Sequence, residues 1–356
     1  MNKFKISSIF VSCALMFTSL VGCASSSSQG NNSSSNANNV QNASMYKVGM
    51  VTDEGGLGDK SFNSATYDGL LKAKEELGVD IQVLEPKQDT DFEAYTQRIS
   101  KNSNLVIGVG YKLKDAVEKA SKQNAGVKYI IIDDEVKGDN VHSLRFKEEE
   151  GSFLAGVVAG LMTKTNKIGF IGGYDSPLIN KFDSGFAAGV KSVNPEAGKL
   201  LEDRVTVRYA GSFVDTAKGY ELAKSLYGDG VDIIYHAAGG VGIGMFRAAS
   251  ETNNYGIGVD QDQAVSLPEY ANVILTSVVK NLTDGVYDLV KEASEGVFNA
   301  TTSELGVKEN GVYLSESTKD KVPQDILDKV EEFKNKIISG EITVPKTIEE
   351  LKNFKY

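Results

Sequence analysis

Histidine, cysteine and proline are scarce in this chain of 356 residues, and each scarcity excludes something. The only two histidines, His142 and His236, argue against a histidine-rich zinc site. Both cysteines, Cys13 and Cys23, fall in the first 23 residues, so the globular part has neither a disulfide framework nor a thiolate metal cluster. Positive charge is in deficit: 38 Lys and Arg against 48 Asp and Glu leave a net charge of −10. Phosphate binding needs a concentrated basic surface, so a nucleic acid is not an expected partner. No G-x-S-x-G element, Cys–His pair or phosphate-cradling loop is present. The run Gly239-Gly240-Val241-Gly242-Ile243-Gly244 lacks the lysine of such a loop and reads as a tight turn into a helix. No repeat of solenoid period appears. Six prolines against 36 glycines suit a protein of many strand-to-helix turns.

The N-terminus has a basic start (Lys3, Lys5), an apolar segment from Ile6 to Val21, and then Gly22-Cys23. This is the order of a secretory signal, too short and too rich in serine for a transmembrane span. Its end, Leu20-Val21-Gly22-Cys23, resembles the bacterial lipobox, in which the cysteine is lipidated and becomes the first mature residue. An ordinary signal peptide with a chance cysteine is the alternative. Residues 24–44 are almost entirely Ser, Asn, Gly, Gln and Ala, a composition that buries no core and makes a flexible tether. The expectation is a signal over 1–22, a tether over 23–44 beginning at lipidated Cys23, and a body held at a membrane surface outside the cytoplasm.

From Met45 the chain alternates strand and helix, the pattern of an α/β protein with parallel sheets covered on both faces. The stretch Val48–Leu70 sets the type: an apolar strand, a loop holding Asp53, Gly55, Gly56, Gly58 and Asp59, then a helix from Ser61. Val127–Ile132 is a short unbroken β-branched strand, and Gly151–Met162 a helix of small residues able to pack closely. Two such series, too many for one small sheet, predict two lobes. After Val259 the rhythm changes: Val273–Val279 is a strand without a helix before it, and Glu309-Asn310-Gly311 is a hairpin signal between two short strands.

Ligands of open α/β sheets bind outside the carboxyl ends of the strands. Asp53, Gly110-Tyr111, Asp133-Asp134, Gly172-Gly173-Tyr174, Gly211-Ser212-Phe213, Ala238-Gly239-Gly240, Asp260 and Lys280 stand at such ends. One aspartate there is as readily a helix cap, and one phenylalanine is more often core, but the set is hard to obtain by chance. Carboxylates accept hydrogen bonds from vicinal hydroxyls, each worth about 1.5–3 kcal/mol when charged. Aromatic faces hold a base by stacking, worth about 1–3 kcal/mol per base. Phe62 and Phe213, one from each lobe, would sandwich one ring, so the composition suits a sugar joined to a planar base. The aspartate groups Asp133-Asp134 and Asp260-Gln261-Asp262 also admit a calcium-dependent nucleoside hydrolase with His236 near the cleft, and a bare sugar or sugar-derived signal is a third reading.

The run Asp53…Gly55…Asp59-Lys60-Ser61-Phe62-Asn63 resembles the signature of the basic membrane protein family of lipoproteins, of the purine nucleoside receptor type. Further matches are Arg145-Phe146-Lys147-Glu148-Glu149-Glu150-Gly151-Ser152-Phe153-Leu154-Ala155-Gly156, Gly211-Ser212-Phe213-Val214-Asp215, Val259-Asp260-Gln261-Asp262-Gln263 and Ser277-Val278-Val279-Lys280. Residues Leu178-Ile179-Asn180 depart from the pattern. The resemblance implies the type I periplasmic-binding fold, two Rossmann-like lobes joined by three crossings near 146–150, Asp260 and Lys280. The first lobe would be 45–146 plus 260–280, the second 147–259 plus 281–356, with Val273–Val279 returning to the first lobe's sheet. It implies no enzyme, cofactor or metal, but capture of a purine nucleoside (guanosine, inosine or adenosine) for the permease and ATPase of an ABC importer. Phe62 and Phe213 would flank the base. Asp53, Asn63 and Asp133, taken as the inward-facing member of its doublet, would meet the polar edge of the base. Asp260 and Lys280 would hold the ribose and Gly239 would give a close backbone contact, and Tyr111, at a strand end, is a further candidate ligand-binding residue. Asp59 and Lys60 read as helix-start and surface groups.

Overall fold

A computed structural model describes residues 45–355. The expected signal over 1–22, the lipidation at Cys23 and the tether over 23–44 lie outside the described residues. Two sheets of six strands each organise the body. Five strands of the first, β1 (Lys47–Val51), β2 (Asp80–Leu84), β3 (Leu105–Val109), β4 (Lys128–Ile132) and β5 (Val141–Phe146), come in unbroken chain order. Five of the second follow: β6 (Ile168–Gly172), β7 (Val207–Tyr209), β8 (Ile233–Ala237), β9 (Tyr255–Asp260) and β10 (Ile274–Lys280). Then β11 (Thr302–Leu305) completes the first sheet and β12 (Val312–Leu314) the second. The central strands β3, β6, β8 and β10 are buried along their whole length. That is why β3 and β6 appear in the sequence as continuous apolar runs, not as alternating ones, while β8 and β10 also bury the polar His236, Thr276, Ser277 and Lys280.

Both sheets have one order. In space the first runs β2-β1-β3-β4-β5-β11 and the second β7-β6-β8-β9-β10-β12, parallel throughout except for β12, which lies antiparallel to β10. The order reverses at β1/β3 in one lobe and at β6/β8 in the other, so each lobe has a crevice at the carboxyl ends of those strands. This is the expected two-lobed α/β architecture.

The division of the chain between lobes differs from the expectation in three ways. Strand β10 pairs with β9 (Val278 opposite Val259), so residues 260–280 belong to the second lobe. The stretch from Asp260 to Ile274 is long enough for the dozen-residue crossover that a parallel neighbour requires, and it makes the helix Gln263–Ser266 on the way. No crossing occurs at Asp260. Residues 281–305 belong to the first lobe: the helix Leu282–Ser294 packs on the helix Phe62–Leu77, and β11 pairs parallel with β5. Finally, β11 and β12 flank Asn310-Gly311 without forming a hairpin, because each joins a different sheet. The crossings therefore fall at Phe146–Glu148, Lys280–Leu282 and Leu305–Val312. Among the described residues no helix is long and apolar enough to cross a membrane.

Candidate ligand-binding cleft

The first-lobe jaw is built by an aspartate that the helix start demands. Asp59 accepts hydrogen bonds from the backbone N–H groups of Ser61 (3.1 Å), Asn63 (2.7 Å) and Ser64 (3.1 Å), satisfying donors that the helix Phe62–Leu77 leaves open. Asp59 is thus the helix-start group expected, though buried, and Lys60 is exposed. The Asn63 amide donates to Asp59 (3.0 Å) and to Asp53 Oδ1 (2.6 Å), while its oxygen accepts the Asp53 N–H (3.2 Å). Gly55 N–H also donates to Asp53 Oδ1 (2.8 Å). Both donors of Asn63 are therefore spent, one on Asp59 and one on Asp53, whose Oδ2 accepts none of these bonds. Burial, with the Glu54 charge beside it, pushes the Asp53 carboxyl up to about 7. Opposite it, Gly110 has φ of +102°, and a Cβ there would come within 3.3 Å of the Phe62 ring, so glycine lets the β3 turn close on that ring.

At the hinge, Lys280 ends β10 and is almost wholly buried. Its ammonium lies 2.5 Å from Asp133 Oδ2 and 3.4 Å from Glu148 Oε1, with the Phe62 ring centroid at 4.8 Å. Burial alone would lower the lysine, but Asp133, Glu148 and Asp260 outweigh it and raise its pKa. Lys181 holds Glu148 from the far side at 3.0 Å. Asp133 adopts φ of +67°, which turns its carboxyl inward, and burial pushes it up to about 6 against the pull of Lys280. Its Oδ1 is buried without a hydrogen-bond partner. Asp134 points elsewhere, pairing with Lys114 at 2.8 Å.

The second-lobe jaw is mostly apolar: Leu178, Ile179, Phe182, Ala237, Ala238, Val259 and Phe213 face the cleft. Asp260, at φ of +68°, accepts a hydrogen bond from Ser61 Oγ across the lobes (2.5 Å). Burial raises Asp260 to about 7, with Lys280 and Ser61 pulling it down. Gly239 takes φ of +54°, and a Cβ there would stand 3.1 Å from the Phe213 carbonyl oxygen.

All nine candidates, Asp53, Phe62, Asn63, Tyr111, Asp133, Phe213, Gly239, Asp260 and Lys280, line a single cleft of about 600 Å³ including its open mouth. Leu178 and Ile179, where the family pattern is weakest, line it as well. His236 does not. It is buried behind the wall, bonded to Gln263 (2.8 Å), and burial lowers it to about 4. Asp262 faces away too, accepting from Ser317 Oγ at 2.7 Å. Sequence reasoning passed over Lys112, which lines the mouth, and Glu148, which faces Lys280. Glu148 begins a run of three glutamates that the sequence offers only as part of the family resemblance. Nothing local marks it as buried.

Two lobes of one strand order, closing over a cleft with a few buried polar groups, define a solute-binding protein of the periplasmic-binding type. The chain belongs to the family of PnrA-like ABC transporter substrate-binding proteins (Bmp), matching it over residues 46–348. It is 42% identical over 322 residues to a CD4+ T-cell-stimulating antigen of Listeria monocytogenes, covering 84% of this chain and 88% of that one. It is 36% identical over 321 residues to the ABC transporter nucleoside-binding protein BmpA of Lactococcus lactis, covering 84% and 89%. A solved solute-binding protein of an Aeropyrum pernix ABC transporter superposes with a TM-score of 0.76 at 29% identity, over 86% of this chain and 98% of that one. The family consists of substrate-binding components of ABC transport, not enzymes, so the hydrolase alternative falls away.

Proposed function

We propose that this protein captures a purine nucleoside between its lobes outside the cytoplasm and hands it to the permease and ATPase of an ABC importer. The observation that carries the reading is the pairing of Phe62 from one lobe with Phe213 from the other across one cleft that also holds the buried carboxylates of Asp53, Asp133 and Asp260 and the ammonium of Lys280. A base between the rings is held by stacking, and buried acceptors reward ring N–H and ribose O–H donors. The name of the Lactococcus lactis relative supports the same ligand class. Asp53 meets the polar edge of the base, with Asn63 setting its orientation. Asp133 Oδ1, lacking a partner, accepts from the ligand. Asp260 and Lys280 hold the ribose, Gly239 approaches with its backbone, and Tyr111 closes the wall. Cys23 carries the lipid that keeps the body at the membrane.

The ligand's contacts to both lobes favour the closed form by their differential affinity, and the transporter reads that form. Titration calorimetry with guanosine, inosine, adenosine, uridine and ribose tests the reading. Saturable heat with the purine nucleosides and none with ribose is the expected result; no heat with any nucleoside sinks it.

A further inference from the structure

Glu54 and Lys112, at the mouth of the cleft, have no part in the reading above. Both follow first-lobe strands at the switch point, Glu54 after β1 and Lys112 after β3. Lys112 Nζ lies 2.6 Å from Glu54 Oε1 and 3.3 Å from Asp89 on its own lobe. From there it reaches the second lobe, 4.3 Å from the Tyr174 ring centroid and 5.8 Å from that of Phe213. Those two rings meet edge to face at 5.1 Å. Behind them Gly173 leaves the space Phe213 fills, since a Cβ there would come within 2.1 Å of the ring.

The contact is largely shielded from water, with the Lys112 side chain 15% exposed and that of Glu54 10%. An ammonium against an aromatic face is attracted by the ring quadrupole, and more strongly as water leaves. The other oxygen of Glu54, Oε2, is buried without a hydrogen-bond partner, so Lys112 is the charge that neutralises this carboxylate. Burial works against the ammonium, but Glu54 and Asp89 more than restore it and raise its pKa, which keeps Lys112 cationic.

We infer that Lys112 is a positioning residue for ligand capture: anchored by Glu54, it clasps the Tyr174–Phe213 pair of the opposite lobe, fixing the ring that closes over the ligand and slowing the separation of the lobes. The contact spans the two lobes, so their separation breaks it, and a contact made in one state shifts the population toward that state. This rests on Phe213 as a stacking face, but not on which ring it stacks.

The test uses Lys112→Met combined with Glu54→Gln, which leaves only the solvent-exposed Asp89 without its lysine and no buried carboxylate unpaired, together with Lys112→Arg and Tyr174→Leu. Dyes on the two lobes report the closed fraction of the empty protein by single-molecule energy transfer, and stopped flow reports guanosine release. The double variant is expected to lower the closed-to-open ratio by about 3–30-fold, the range between exposed and desolvated cation–π contacts. Guanosine release should speed up by a similar factor, with association nearly unchanged. Lys112→Arg should restore most of both, and Tyr174→Leu added to the double variant should cost little more, as contacting residues do in a double-mutant cycle. An unaltered closed ratio, purely additive effects, or an empty wild type with no closed population overturns the clasp. If guanosine fails to bind the wild type, the nucleoside reading falls while the ligand-free measurement still decides on the clasp.

Discussion

Asp53 sits at the end of β1 with one oxygen held by Asn63 and Gly55 and the other left to the cleft. Burial, then Glu54, raises it from 3.8 to about 7, so the folded protein keeps a proton that the unfolded chain releases near 3.8. The stability this gives is fully present below that lower value and is lost as pH rises through about 7, at about 1.4 kcal/mol per pH unit inside the window. Asp53→Asn should flatten that decline. Urea unfolding of both proteins at pH 5 and pH 7.5, without ligand, measures it, and equal losses in the two proteins would show that Asp53 is not raised. Carboxylates of this kind were legible in the sequence, because strand ends are where the fold puts binding groups. Lys112 and Glu148 were not, since a lysine or glutamate looks the same in sequence whether it is solvated or paired inside.

Among the elements, strands and helices were legible from their apolar periodicity, but their allegiance was not. Strand β10 mixes Thr276, Ser277 and Lys280 among apolar residues, and nothing within it says that β9 is its neighbour; only the length of the preceding connection does. The Asn310-Gly311 turn carries a hairpin's local signal, yet the edges of two different sheets claim the strands on either side. The helix Pro195–Glu202 was passed over as well. The small-residue helix Glu148–Met162 does pack closely, against the helix Pro177–Val193. A Cβ on Gly189 would stand 2.0 Å from the Phe153 carbonyl oxygen, and one on Gly156 2.3 Å from that of Phe186. Gly→Ala inside a helix ordinarily stabilises by about 0.5–1 kcal/mol. Here the backbones must move apart, so Gly189→Ala should instead cost about 1–3 kcal/mol in chemical denaturation. Stability equal to or above wild type would mean that the helices are not in contact through glycine.

At the scale of the molecule, two sheets of one strand order set their switch points facing each other, and the chain passes between them beside the buried cluster of Asp133, Lys280 and Glu148. On the proposed reading each lobe alone carries half of what a base needs, Phe62 on one and Phe213 on the other. Both rings pack against the core, so removing them should lower the ligand-free melting temperature, and the ligand effect is read as a shift from each protein's own ligand-free value. Their loss should show when ligand is added. Phe62→Ala with Phe213→Ala is expected to lose about 2–5 kcal/mol of guanosine affinity, from stacking worth about 1–3 kcal/mol per base. At a guanosine concentration of a hundred times the wild-type Kd, the wild type gains about 2.7 kcal/mol of stability. A variant weakened a hundredfold gains about 0.4 kcal/mol at that concentration, so its thermal shift nearly vanishes. If the site recognised the sugar alone, wild type and double variant would show the same shift, and the rings would belong to the wall of the cleft and not to its grip.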